Sequence, residues 1–414
     1  MKLGINGLGR IGKLTLWRHV ARPHFEGVVV NLGRNVGTSL QDLAQSVEKD
    51  STYGRLETYL HGFHGGRVIE NLDEQAGTMT INGLPVQFLR TARNPREIGW
   101  RDHGARLVVD CTGVFADPTQ PADAASGSLR GHLAAGAEKV ILSAPFKIKT
   151  KGLPMPEDAT TLIAAINDAT FDPQRHAVLS AASCTTTCLA FMMKPLLDRL
   201  GADKILSASM VTIHAATPSQ VVLDALPAAG ALDLRKTRSA LNNIILTTTG
   251  AAKALKLVIP EMGEIAFMAE SVRIPTLAGS LVILTLNFQS DHPDHDADGG
   301  INRAVINGIY REASEGPYQG YLGYSEAQNV SADIIGFPKA GAVIEAQETH
   351  TRTAYARVDL SHLPQIPPEM AGAAHGKLRV PVTQAVVYGW YDNELGSYAN
   401  MLGDLTVRVA EQMV

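Results

Sequence analysis

Cysteine is scarce in this chain. Three occur in 414 residues, at 111, 184 and 188, too few to staple a fold of this size. That excludes a disulfide scaffold and fits a reducing compartment, where a thiol can be kept for chemistry. Charge of one sign is also missing: 37 Lys and Arg stand against 41 Asp and Glu, a net charge of -4. No polyanion-binding surface follows from that balance, so nucleic acid is not an expected partner. No apolar run is long enough to span a bilayer, and no apolar leader precedes the strand-like run at Lys2. The expectation is a cytoplasmic protein with no membrane partner. With 45% hydrophobic and 19% charged residues, the composition is globular, and the length allows two or three domains.

Residues 2–6 read as a short strand, and Gly7 to Gly12 as a tight turn opening a helix through Trp17 and His19. Val28–Asn31, Leu107–Asp110 and Val140–Leu142 are further apolar runs closed by Gly, Ser or Pro turns. Strands alternating with helical segments imply a parallel sheet with helices on its faces. The character changes after Ser183. Leu189–Leu200 has helical spacing, then Ile205–Ile213, Glu264–Ile274 and Ser280–Phe288 are rich in strand formers. Residues 301–313 and roughly 399–412 read as helices, and 363–376 as a Pro- and Gly-rich loop. The fold class is therefore α/β: a Rossmann-type dinucleotide-binding domain, then an α+β domain with a mostly antiparallel sheet.

Three patterns carry chemistry. Gly7-Leu8-Gly9-Arg10-Ile11-Gly12 has the G-x-G-x-x-G spacing between a strand and a helix. Gly7 suits the tight turn, Gly9 lets the backbone approach a pyrophosphate, and Gly12 lets the helix pack on the strand. A glycine-rich turn without a ligand is the plainer alternative. The second pattern is Ser183-Cys184-Thr185-Thr186-Thr187-Cys188. If a helix starts there, its positive end favours a thiolate at Cys184 and lowers its pKa, while Cys188 is covered one turn on. Taken alone, two buried thiols packed as small hydrophobes are the commoner case. The third is His214, after the strand Ile205–Ile213, which can pair with Cys184 as nucleophile and base only if the fold joins them.

The segments INGLGRIG (5–12), SAASCTTTCLA (180–190), MVTIHAATPSQ (210–220), TTTGAAKA (247–254), SVRIPT (271–276) and WYDNELGSYAN (390–400) occur in this order. Together they resemble the phosphorylating glyceraldehyde-3-phosphate dehydrogenases, over both ends and most of the middle of the chain. The resemblance implies an NAD- or NADP-binding domain in residues 1–183 with 393–414, and a catalytic domain in 184–392. It implies oxidation of glyceraldehyde 3-phosphate to 1,3-bisphosphoglycerate with inorganic phosphate, in a homotetramer. By the same resemblance Cys184 is the nucleophile and His214 its base. Ser183, Thr185, Thr249 and Gly250 hold inorganic phosphate. Thr217 and Arg273, with Arg235 from a less cleanly aligned loop, hold the substrate phosphate. Asn393 binds the nicotinamide carboxamide, and Arg10, Ile11, Thr112 and Ser143 line the cofactor site. Erythrose 4-phosphate as substrate, hydrolysis in place of phosphorolysis, and a non-enzymatic cofactor-sensing protein stay open as alternatives.

The chain departs from the family's pattern at several places. Ala181 and Thr187 stand where SNASCTTNC has Asn, and Gly396-Ser397-Tyr398-Ala399-Asn400 carries one residue more than GYSN, making Tyr398 the supporting tyrosine. The loop from Asp224 to Arg238 is longer, and added segments fall near 55–76, 117–130, 146–160 and 350–380. Leu32 occupies the position where an acid commonly binds the adenosine ribose, with Asn31 before it and Arg34 after it. That change favours acceptance of NADP, with Asn31 or Arg34 meeting the ribose or its phosphate. Asp291-His292-Pro293-Asp294-His295-Asp296 has metal-ligand residue types but no regular spacing and reads as a solvated loop, as do His61 and His64. Cys111 reads as packing, and no metal is expected.

Overall fold

The computed structural model describes residues 1–90, 92–290, 300–360 and 377–413. Its first sheet has nine strands: Lys2–Asn6 (β1), Val28–Asn31 (β2), Ile69–Asp73 (β3), Thr78–Ile81 (β4), Leu84–Leu89 (β5), Ala105–Asp110 (β6), Lys139–Leu142 (β7), Ala159–Thr161 (β8) and Val178–Ser180 (β9). They lie in the order β8-β9-β7-β6-β1-β2-β5-β4-β3. Pairing is parallel from β8 to β5, and β5, β4 and β3 close the edge as an antiparallel meander. All four residues of β2 are buried, as the continuous apolar run of a strand covered on both faces requires. The meander was not legible beforehand, because its strands are short and mix exposed with buried positions.

Helix Arg10–Ala21 (α1) follows β1, and Leu40–Glu48 (α2) follows β2, begun by a Ser39 capping box. The order reverses around β1, which pairs with β2 on one side and β6 on the other. The crevice beyond the carboxyl ends of these strands is where a doubly wound sheet takes its ligand.

The second sheet contains Ile205–Ala215 (β10), Ile245–Thr247 (β11), Ala266–Ile274 (β12), Ser280–Gln289 (β13), Leu322–Ser325 (β14), Ala342–Glu345 (β15), His350–Asp359 (β16) and Lys377–Tyr391 (β17). Its order is β11-β12-β10-β13-β17-β15-β14, with β16 also on β17. Only β10–β12 and β14–β15 pair in parallel, so the sheet is mostly antiparallel. Along β13 buried and half-buried residues alternate, the mark of one covered face. Cys184–Leu200 (α3) lies on that face against β13, β15 and β17, and Arg303–Glu315 (α5) packs on α3, with Ala251–Val258 (α4) beside it. The chain returns to the first sheet through Asn400–Glu411 (α6), whose Asp404 accepts from Arg18 of α1 at 2.6 Å.

Several boundaries moved. The helix expected from Leu189 begins at Cys184, because Ser183 caps it through the Thr186 N–H. The strand expected from Glu264 begins at Ala266, since a 3-10 turn over Pro260–Gly263 precedes it. The 363–376 loop and the 291–296 string lie outside the described residues. Residues 56–61, inside one added segment, form a short helix.

Candidate active site

Cys184 stands at the first position of α3, and His214 lies within β10 rather than after it, the strand running on to Ala215. Placing α3 across the sheet brings Cys184 Sγ to 3.5 Å from His214 Nε2. His214 Nδ1 donates to the Ala215 carbonyl at 2.8 Å, which leaves Nε2 as the acceptor facing the sulfur. Burial, and after it the charge of Arg273, pushes His214 down to about 4, so the ring is neutral at pH 7. The helix end was expected to depress the thiol. Its N–H groups at Cys184 and Thr185 do act that way, as do Arg273 and the Thr185 hydroxyl, but burial outweighs them and raises Cys184 above its ordinary value. Cys188 is fully buried, as expected.

The loop before the nucleophile is held without the two asparagines of the family pattern. Ala182 sits at φ 54, a left-handed conformation uncommon for alanine. Its N–H donates to Ser180 Oγ at 3.1 Å, and its carbonyl accepts from Tyr398 Oη at 3.0 Å. Tyr398 reaches there from a π-helical turn over Leu395–Ala399 at the start of α6. A π turn takes up an added residue inside a helix, which accounts for the extra position in this segment.

A cleft of about 910 Å³ runs between the two sheets and opens onto Cys184 and His214. Ser183, Thr185, Thr217, Thr249, Gly250 and Arg273 line one end of it; Gly9, Arg10, Ile11, Thr112, Ser143 and Asn393 line the rest. Arg273 is the informative group. One of its terminal nitrogens donates to the Ala215 carbonyl at 3.3 Å, while its buried Nε has no partner in the protein. A buried, unpaired guanidinium nitrogen beside threonine hydroxyls is suited to an anion.

The cofactor end fits a dinucleotide. Gly7 has φ +90, and a Cβ on Gly12 would meet the Gly7 carbonyl oxygen at 2.0 Å, so both turn positions require glycine. No atom lies within 4 Å of where a Cβ on Gly9 would sit, and α1 begins without a side-chain cap. Its first N–H groups are thus free for phosphate oxygens. The Arg10 side chain does not serve that purpose, because its guanidinium is pinned between Asp50 and Glu394.

Three expected side chains stand outside the cleft. Asn31 is 1% exposed, and its amide donates to Asn6 Oδ1 and the Ala92 carbonyl, locking adjacent strand ends. Arg34 is exposed on the turn after β2. Arg235 is exposed on the long loop, where its Nε donates to Asp233 at 2.8 Å, so this chain does not bring it to the anion site. One residue was missed. The hydroxyl of Tyr391, fully buried, bonds Thr185 Oγ1 at 3.0 Å and Thr212 Oγ1 at 2.7 Å, tying α3 to β10 behind the Cys–His pair. Nothing local to the sequence says where that hydroxyl goes.

Residues 1–118 match the glyceraldehyde 3-phosphate dehydrogenase NAD binding domain, and residues 183–360 match the C-terminal domain of the same enzyme. The chain belongs to the glyceraldehyde-3-phosphate dehydrogenase family. Glyceraldehyde-3-phosphate dehydrogenase 2 of Streptomyces arenae is 32% identical over 414 residues, spanning 100% of this chain and 99% of that protein. Glyceraldehyde-3-phosphate dehydrogenase 1 of Bacillus subtilis is 33% identical over 413 residues, with the same two shares. The Geobacillus stearothermophilus enzyme is 33% identical over 413 residues, again across 100% and 99%. As a member of this family the protein is an oxidoreductase that uses NAD(P). Among the described residues, no helix is long and apolar enough to cross a membrane, and no group of His, Cys, Asp and Glu could hold a metal.

Proposed function

We propose that this protein oxidises glyceraldehyde 3-phosphate to 1,3-bisphosphoglycerate, using inorganic phosphate and NAD(P). The observation that carries the reading is the 3.5 Å Cys184–His214 pair in a cleft that Arg273 also lines. His214 Nε2 takes the thiol proton as Sγ attacks the aldehyde carbon, and returns it to the oxyanion to give a thiohemiacetal. The Cys184 N–H at the helix start is the donor best placed for that oxyanion. Bound NAD(P) supplies the hydride acceptor. His214 removes the hydroxyl proton as oxidation leaves a thioester on Sγ. Inorganic phosphate, held by Ser183, Thr185, Thr249 and Gly250, attacks the thioester carbon, and the acyl phosphate leaves as the thiolate returns. Arg273 and Thr217 hold the phosphate already on the substrate.

A homotetramer is part of the proposal. Leu226, Leu232, Leu241 and Ile244 are 94%, 101%, 63% and 75% exposed on the loop after β10, an apolar surface of the kind covered by another copy. A free catalytic thiol also suits the reducing cytoplasm.

The test is a panel of phosphorylated and unphosphorylated aldehydes, each with both cofactors, run with and without inorganic phosphate. The expected result is phosphate-dependent reduction of NAD(P) with glyceraldehyde 3-phosphate as the best substrate. Equal turnover without phosphate, or a clear preference for another aldehyde, would refute it.

A further inference from the structure

Ser280 is fully buried at the start of β13, opposite Tyr391, the last residue of the neighbouring strand, which lies two residues before Asn393. Its hydroxyl makes two hydrogen bonds. Oγ accepts from the Ala215 N–H at 3.0 Å, and lies 3.0 Å from Asn393 Oδ1. A hydroxyl carries one proton. With the Ala215 N–H on a lone pair and an oxygen as the other neighbour, that proton is donated to Oδ1. The amide group of Asn393 is thereby set with its NH2 as the free end, and Asn393 lines the cleft.

We propose that Ser280 is the positioning residue that fixes the amide of Asn393, and so decides which face of the nicotinamide is turned to Cys184. The two ends of an asparagine amide have almost the same shape, so packing alone does not choose between them. A donor beneath Oδ1 does. With the NH2 toward the cleft, Asn393 donates to the carbonyl of a carboxamide; rotated, it would present an acceptor and favour the opposite ring orientation. Ala215, on the other side of Ser280, also receives His214 Nδ1 on its carbonyl at 2.8 Å. One buried hydroxyl therefore joins the cofactor-orienting amide to the strand segment that holds the base. Ser280 touches neither substrate nor cofactor, and it acts through Asn393. The inference rests on the nicotinamide lying against Asn393.

The experiment compares wild type, Ser280→Ala and Ser280→Cys for binding of NAD and of ADP-ribose, which lacks the nicotinamide. Loss of one well-placed hydrogen bond should weaken NAD by about three- to tenfold, with ADP-ribose unchanged. Deuterium transferred to the ring should go to one face in the wild type and to both in Ser280→Ala. Ser280→Cys fills the site with a slightly larger group that is a weaker donor and acceptor, so it carries the test if the alanine variant does not fold. Equal weakening of NAD and ADP-ribose would mean a merely structural role and would overturn the proposal, as would unchanged NAD affinity with a single labelled face. Wild-type protein binding both ligands equally well would show that the nicotinamide makes no contact and would also overturn it. The two affinity readings need no aldehyde, so a wrong substrate would leave them intact; the deuterium reading needs only some 1-deuterated aldehyde that the enzyme oxidises.

Discussion

Replacing His214 with Asn isolates what the Cys184–His214 contact does. The imidazole is buried, its Nε2 is 3.5 Å from Sγ, and its other nitrogen is committed to the Ala215 carbonyl. The ring is neutral at pH 7; once it takes the thiol proton, thiolate and imidazolium at that separation attract by about 5 kcal/mol at an effective dielectric constant of roughly 20. That attraction opposes the burial that raises the Cys184 thiol. Without it the burial effect stands against Arg273 and the helix end alone. In His214→Asn the thiol has no base to take its proton, so its labelling at neutral pH should slow by up to roughly 10³, which corresponds to most of that attraction. Turnover should fall by about 10² to 10⁴, because the general base is lost as well. The assay is the second-order rate of iodoacetamide labelling of Cys184 between about pH 6 and 10.5, read on the peptide so that Cys111 and Cys188 do not contribute. In the variant the rate should climb only at alkaline pH. Rate–pH curves that superimpose would show that His214 does not act on Cys184, and the proposed mechanism would fail.

Cys184→Ser should abolish aldehyde oxidation while cofactor affinity stays within about twofold, since the dinucleotide rests mainly on the first sheet; titration with NAD(P) and a turnover assay check both halves. The protein should accept NADP, because Leu32 offers no charge to repel a 2′-phosphate and Arg34 is exposed beside it. Leu32→Asp should lower kcat/KM for NADP and Arg34→Ala should lower it about fivefold; strong NAD preference in the wild type, untouched by Arg34→Ala, would refute this. His19 is fully buried with no hydrogen bond to either ring nitrogen, and burial lowers it from 6.5 to about 3. The unfolded chain takes up that proton near 6.5 and the folded one does not until about 3, so stability falls as pH drops through this window. Between neutrality and pH 5 the loss is about 2 kcal/mol. His19→Phe should remove this component, so the stability gap between wild type and variant should shift by about 2 kcal/mol between pH 7 and pH 5; a gap that does not change with pH would refute the reasoning.

The chemistry-bearing residues were legible in the sequence because each sits in a short motif whose function is local. The G-x-G-x-x-G turn needs only a strand before it and a helix after it, and both are present at β1 and α1. Cys184 at a helix start depended on Ser183 three residues before the N–H that it accepts. Long apolar or alternating runs such as β2, β10 and β13 were equally plain, since burial on two faces or one writes itself into the residue order.

Contacts between distant segments were not legible. Asn31 and Arg235 have suitable chemistry, yet the buried amide NH2 of one is taken by Asn6 and Ala92, and the other is held by Asp233 on an exposed loop. The pairing of Cys184 with His214 and the hydroxyl of Tyr391 behind them arise only when α3 is laid across the second sheet, and the hydroxyl of Ser280 meets Asn393 only when β13 pairs with β17. The thiol shows the same division. The sequence determined that a helix end would favour its ionised form, which is a property of the adjacent backbone. Tertiary structure decided the balance, because desolvation depends on how much of the whole fold surrounds the sulfur, and here it exceeds the local effect.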